Sequence, residues 1–439
     1  MYTGPIVRIS PSELHIDDPE YYEVLYSRDS PRNKSEYYAK QFSTPLSILT
    51  AADHYRHRLL RSNMNPFFSM ARIRRLEPAI QTLVDELCSR LSAFRNTGRP
   101  VVIHNAFTCF ATDVITSYVL GEDHCYLDEP DFAPQWCSTI SSGAKTGLFF
   151  RHFPWLHPVV KALPEHWLAK MDPGVDLVYK YMHRCLRLIH AVIDSQGDCS
   201  QSSAKSDPSD QPTFFHDVLS SNLPPEEKTP ERLAQEMMVV IGAGAETTAK
   251  TLSVITFYLL DNPEKLQKLK QELDALDPDQ TASLVQFEQM PYLTSVILEG
   301  LRLSYGLSTR LQRVAPDRAL KYKDWTIPPN TPVGMTSVFM HHNESIFPDS
   351  HSFNPERWLD PQERKRLDRY MVAFTKGSRQ CIGMNLARAE MLLVIPKIVR
   401  HLNLRLFETT VEDVRLAHDF FLPAAKLTSK GVRVVVTEE

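Results

Sequence analysis

Residues 229–260 constrain the fold of this 439-residue chain more tightly than any other stretch. Thr229 can cap a helix, and Pro230 suits the first helical position, where its missing N–H is no loss. Helical spacing then runs on to Leu260. Thirty-odd residues rising 1.5 Å each make a rod of about 45 Å. A rod so long and so apolar belongs in the middle of a large protein. It is not expected to cross a membrane. Glu246 and Lys250 interrupt its most apolar part, and a span needs about 18 or more uninterrupted apolar residues.

Around this rod the pattern reads as mostly α with a small β region. Helices are predicted at 79–94, 107–120 with Gly121 as C-cap, 175–193, 263–276, 291–303 and 383–402. Strands are predicted at 6–9, within 310–340 and at 432–436, with 325–330 as a turn and 347–370 irregular. Residues 194–212, rich in Ser, Asp, Gln and Pro and without aromatics, read as a surface loop. The whole of 1–439 reads as one domain. With 43% hydrophobic and 23% charged residues, the composition is ordinary for a globular protein. A net charge of −4 gives no basic excess for nucleic acid. Seven cysteines without a C-x-x-C argue against a disulfide framework and a cysteine-rich zinc site, and fit a reducing compartment better. The N-terminus has no apolar region of a signal peptide. No H-E-x-x-H, G-x-S-x-G or P-loop occurs, and His341-His342 reads as a loop feature rather than a metal site.

One cysteine stands apart. In Phe374-Thr-Lys-Gly377-Ser-Arg379-Gln-Cys381-Ile-Gly383 it lies in a glycine-punctuated loop just before a helix. Unpaired N–H groups at the helix start favour a thiolate. Gly377 and Gly383 let the backbone approach a flat ligand. Arg379 can neutralise a carboxylate, and Phe374 can pack on the ligand's face. These are the demands of a cysteine-ligated haem. The bland alternative is a buried cysteine in a tight turn. All five fixed positions match F-x-x-G-x-R-x-C-x-G, so the chain resembles the cytochrome P450 superfamily.

Further stretches carry the resemblance, in the family's order. Glu299-Gly-Leu-Arg302 is similar to its E-x-x-R, and Arg357 in Pro355-Glu356-Arg357-Trp358 would be the third member of a structural ion cluster. Ala243-Gly244-Ala245-Glu246-Thr247-Thr248 resembles its oxygen-activation motif, which implies that Glu246 and Thr247 are catalytic and handle the protonation of dioxygen. His57, Arg61, Arg313 and Arg379 would anchor the propionates of haem b. His57 stands where many members have Trp, and the basic face around it could equally be solvated. Cys381 would be the axial ligand of the iron. Family position places Val240, Ala243, Leu307, Phe420 and Phe421 around the substrate.

The resemblance implies the cytochrome P450 fold, with the long helix over the haem, and a monomeric monooxygenase acting on a small apolar molecule. It would take O2 and receive electrons from NADPH through a reductase. Residues 57–69 look most like fungal secondary-metabolism members related to trichodiene oxygenase, which act on terpenoid, polyketide or alkaloid skeletons. Such members carry an N-terminal anchor, a proline-rich hinge and a first helix ahead of the Gly4-Pro5 strand. Here these are missing, by truncation or as a natural short form. The family works at the cytosolic face of the endoplasmic reticulum; without a span, this chain is expected to be peripheral or cytoplasmic. Two other readings are weighed. Residues 239–247 look like the start of a dinucleotide-binding G-x-G-x-x-G/A run, but Thr247 occupies the third position and the context is helical. A catalytically impaired, truncated haem-binding form is opposed by the presence of both Glu246 and Thr247.

Overall fold

The structure is a computed structural model that describes residues 4–122, 124–198, 213–276 and 282–438. Its centre is the helix Pro230–Asp261, capped by the Thr229 side chain, which accepts from the Arg232 N–H. Along one side it packs on the helix Ile103–Leu120. That second helix is buried nearly all round, so its hydroxyls must be satisfied within it. Thr108, Thr112 and Thr116 donate to the carbonyls of His104, Thr108 and Thr112 at 2.8, 2.6 and 2.8 Å. Gly121 ends it in the left-handed conformation, as its position suggests.

On other sides the central helix meets the helices Pro291–Ser304 and Met384–His401. The first approach is close. A Cβ on Gly300 would lie 2.0 Å from Ile255 Cγ1, so a larger residue there would push the two helices apart. The central helix is long and apolar enough to cross a membrane, yet 56% of its most apolar window is buried in protein. Ala245, Ala249 and Leu252 are fully covered. It is a core helix, and burial against its neighbours accounts for its apolarity.

The β region is small. One sheet has the order Ile6–Arg8, Leu14–Ile16, Pro332–Gly334, Arg313–Val314, Asn33–Lys34. A second places Arg433–Thr437 between Val101–Val102 and Asn403–Leu406. A second hydrophobic cluster, with Ile16, Leu25, Val333 and Trp358, lies under the first sheet.

Several boundaries differ from the sequence reading. Residues 79–94 belong to a longer helix, Met70–Ser92, which runs through Pro78. The segment 175–193 extends to Pro173–Asp198, so the helix enters the expected loop; the rest of that loop lies outside the described residues. Trp325–Ile327 is a strand paired with Leu320–Tyr322 through a turn at Lys323, φ 50°, so the expected turn over 325–330 is confined to its second half, where Asn330 has φ 61°. The irregular stretch 347–370 contains the helix Pro361–Asp368, capped by Asp360. His341 ends the helix Ser337–His341 and is fully buried rather than in a loop.

Candidate functional site

The loop around Cys381 is closed by its own backbone and braced by the N-terminal region. Cys381 N–H donates to Phe374 O at 3.0 Å. Gly377 has φ +77°, and a Cβ on it would stand 2.1 Å from Tyr26 O. Glycine is needed here because the backbone of Tyr26 presses against it, which corrects the idea that Gly377 clears room for a flat ligand. Gly383 does face open space. Phe374 is half-buried, under the Arg388 guanidinium at 5.6 Å.

Burial raises the pKa of the Cys381 thiol; the Gly383 N–H and the Arg61 charge oppose this without cancelling it. The expected donors are present, but desolvation outweighs them in the free thiol. The side chain nonetheless keeps accessible surface.

Beside it lies a set of cations drawn from distant parts of the chain. Arg61, on the helix His54–Met64, donates to Gln380 O at 2.6 Å. Arg379 donates to the carbonyls of Ala51, Ala52 and Asp53 at 2.7, 2.7 and 3.1 Å, while its Nε is buried without a partner. Arg313 lies with its guanidinium 5.0 Å from the Tyr26 ring centroid. Burial, then Arg379, Lys34, Arg61 and Arg313, drives the His57 pKa down to about 2. Burial, then Arg379 and Arg313, holds the Lys34 ammonium well below its usual range. Arg379 falls to about 9 through burial and Arg313. The basic face weighed as solvated is therefore an interior cluster at His57 and Arg61. Among the described residues no carboxylate forms an ion pair with Lys34, Arg61, Arg313 or Arg379. The one charge that partly offsets Arg379, Asp53, uses its side chain to cap the helix His54–Met64. Buried cations without counter-ions are costly. A ligand bearing two carboxylates, set beside an accessible thiol, would relieve this cost, so the donor set fits haem.

The middle of the central helix is opened on one side. Ala243 is exposed and Gly242, Gly244 and Thr247 are half-buried, while Ala245 and Ala249 on the opposite side are fully covered. Thr247 Oγ1 donates to Ala243 O at 2.7 Å, the diversion a mid-helix threonine allows. Glu246 is only 9% exposed, so its contact with solvent runs through its neighbours. Its Oε2 accepts from Ser141 Oγ at 2.9 Å and lies 3.4 Å from His104 Nε2. Burial raises its pKa, but His104, Ser141 and Lys250 together leave it lowered, so it stays a carboxylate. Sequence reading missed His104 and Ser141, which lie more than a hundred residues away along the chain.

Two of the segments expected near the substrate, 307–310 and 420–422, meet at the C-terminal turn. Phe421, at the tip between the paired strands His418–Phe420 and Leu422–Ala424, has φ 75°. Such a conformation is strained for phenylalanine and persists because neighbours fix it. Ser308 N–H donates to Phe421 O at 3.2 Å, and Phe421 N–H to Asp419 Oδ1 at 3.0 Å. Leu307 and Phe421 are thus brought together; Val240 is 9% exposed on the central helix. An apolar cleft of about 200 Å³ lined by Phe107, Ile255, Val394 and Leu404 lies at the C-terminal end of that helix and shares no residue with these sites.

Glu299 collects five donors: Arg302 Nε and Nη2 at 3.0 and 2.7 Å, Asn354 N at 2.9 Å, Arg357 Nε at 3.2 Å and Trp358 Nε1 at 2.8 Å. Arg302 spends its remaining hydrogens on the carbonyls of His341, Ser350 and Ser352. His341, held neutral with a pKa near 3 by burial and Arg302, accepts from Val372 N–H at Nε2, so its Nδ1–H donates to Arg302 O at 2.9 Å. It joins this lattice to the segment that leads into the cysteine loop.

Behind Thr247, Thr248 hydrogen-bonds Glu390, whose carboxyl burial pushes up to about 8. Glu390 is therefore protonated in the folded chain at neutral pH. The folded state binds a proton that the unfolded state releases above about 4.5, so stability should fall as pH rises from about 4.5 through 8. Denaturant unfolding at pH 5 and pH 8 should show the slope, and Glu390→Gln should flatten it. An equal slope in that variant would assign the effect to other groups.

The cytochrome P450 family model matches residues 3–429. The chain belongs to the cytochrome P450 superfamily and is a monooxygenase, an oxidoreductase, of its fungal secondary-metabolism group. It is 46% identical over 98% of its length to 86% of the cytochrome P450 monooxygenase MO6277 of Ascocoryne sarcoides. It is 41% identical over 99% of its length to 84% of the tryptophan 6-hydroxylase fscE of Fusarium equiseti. It is 39% identical over 98% of its length to 84% of the N-acetyltryptophan 6-hydroxylase ivoC of Emericella nidulans. The family implies haem b and an NADPH-dependent reductase.

Proposed function

We propose that residues 1–439 act as one catalytic unit that inserts an oxygen atom into a small molecule in a tailoring step of secondary metabolism, with Cys381 as the haem ligand. The observation that carries this is the accessible Cys381 thiol beside buried cations that lack counter-ions. When bound, haem supplies the activation of dioxygen, helped by the electron push of a thiolate ligand. Cys381 Sγ would hold the iron. Arg61, Arg313, the free Nε of Arg379 and, as a neutral donor, His57 would hold the propionates. Glu299, Arg302 and Arg357 keep the supporting segments in place and take no part in the chemistry.

Thr247 holds a proton at Oγ1 on the opened side of the central helix. Glu246 holds a negative charge next to it and meets the half-buried His104, which supplies a route for protons from outside. Electrons would come from NADPH through the reductase. The more specific likeness of residues 57–69 to trichodiene oxygenase belongs to this reading. The names of two relatives favour an aromatic substrate over a terpene.

The test is an absorbance difference spectrum of the reduced, haem-supplied protein with and without carbon monoxide. A strongly red-shifted Soret band supports thiolate ligation; folded protein without any haem band refutes it. Glu246→Gln is expected to keep this band while lowering product formed per NADPH on the order of 10²-fold, the usual scale for a lost proton-transfer group. Peroxide should rise in compensation. Unchanged product per NADPH would remove Glu246 from proton delivery.

A further inference from the structure

Beside the loop 307–310 and the turn at Phe421 lies a group of side chains in which several buried hydrogen-bond donors have no acceptor. Arg310 Nη2 donates to Tyr38 Oη at 3.1 Å, and its Nε is buried without a partner. The Arg151 guanidinium lies 4.5 Å from the Tyr38 ring centroid, and its Nε is likewise unpartnered. Gln41 is 1% exposed; its Oε1 accepts from Arg151 Nη1 at 3.4 Å, and its Nε2 has no partner. The position is built for Gln41, since a Cβ on Gly147 would lie 2.8 Å from Gln41 Cγ.

No carboxylate forms an ion pair with either arginine among the described residues. Asp419, in the adjoining turn, is committed to Ser308 Oγ at 2.8 Å and Phe421 N at 3.0 Å. His15, kept neutral by burial and by the Arg310 charge, adds no further positive charge to the group. Aromatic rings complete the surroundings. Phe42 meets Phe421 edge-on at 5.0 Å, and Lys145 lies 5.4 Å from the Phe420 ring centroid. Two guanidiniums sharing one tyrosine, with buried donors left over, are complementary to a planar anion with several lone pairs.

We propose that Arg310, with Arg151 and Gln41, receives a carboxylate of the substrate, whose aromatic or otherwise apolar body lies along Phe42, Phe420 and Phe421. The substrate class is then an amphipathic acid rather than a wholly apolar molecule. This rests on the monooxygenase reading above and narrows it.

The test compares acids with their uncharged amides on the haem-loaded protein. Suitable pairs are N-acetyltryptophan and N-acetyltryptophanamide, 3-phenylpropionate and its amide, and dodecanoate and its amide. Binding is read by calorimetry and by the shift of the Soret band. At least one acid is expected to bind about ten-fold or more tightly than its amide, the scale of one charge-assisted contact. Arg310→Gln should erase that ratio and Arg310→Lys should restore part of it, with the carbon monoxide spectrum unchanged in both. The inference is overturned if no acid is preferred over its amide, or if a preference survives in the Arg310→Gln, Arg151→Gln double variant. Loss of the carbon monoxide band in the parent protein would instead refute the haem-thiolate reading.

Discussion

Cys381→Ser is expected to fold as the parent does, and to lose the red-shifted carbon monoxide band together with all turnover above that of free haem. The fold should survive because the Gly383 N–H that bonds the sulfur can bond a serine oxygen instead, and the other loop contacts do not use the side chain. The Cys381 N–H bond to Phe374 O, the Gly377 contact with Tyr26 and the Arg379 bonds to residues 51–53 are all made by other atoms. The spectrum should change because a serine oxygen does not push electron density as a thiolate does. Circular dichroism reports the first expectation and the difference spectrum the second. A retained red-shifted band would point to another cysteine. Among the described residues only Cys125 is also exposed, and it lies far along the chain from the arginine cluster.

The second large effect concerns stability. Glu299→Ala should destabilise the chain by about 3–5 kcal/mol or more, the cost of leaving a buried charge without its partner. Arg302 is fully buried and would lose both contacts to the carboxylate, while Arg357 and the Trp358 indole would each lose one. Trp358→Phe should cost less, about 1–2 kcal/mol, since one donor to Glu299 is lost and the ring remains. Haem retention and the denaturant midpoint should fall in that order. Equal midpoints for Glu299→Ala and the parent would show that the lattice contributes nothing. The lattice also reaches the cysteine loop through His341, so the Glu299 variant should release haem at a lower denaturant concentration than it needs to unfold.

Much of this molecule is legible along the chain because the causes are local. The capping threonine and Pro230 mark the start of the central helix, and helical spacing carries it to Asp261. The Gly121 cap is equally local, and so is the run of fixed residues from Phe374 to Gly383. Pairs at i, i+3 or i, i+4, such as Glu299 with Arg302 and Thr247 with Ala243, follow from helix geometry alone.

Tertiary structure decided what depends on distant neighbours. The helix through Pro78 forms because its apolar face is buried, which outweighs the local signal of a proline. Nothing near Glu246 in sequence foretells His104 or Ser141, and nothing near Arg310 foretells Tyr38, Gln41 or Arg151. Whether Arg61 belongs to a solvated face or to an interior cluster is likewise undecided by spacing, since a helical face has no sign of its own until something packs on it. A side chain's charge and hydrogen-bonding capacity are properties of its residue type. Its solvation and its partners come from whichever segments the fold brings beside it, and these set the cost of a buried cation or the protonation of a carboxyl.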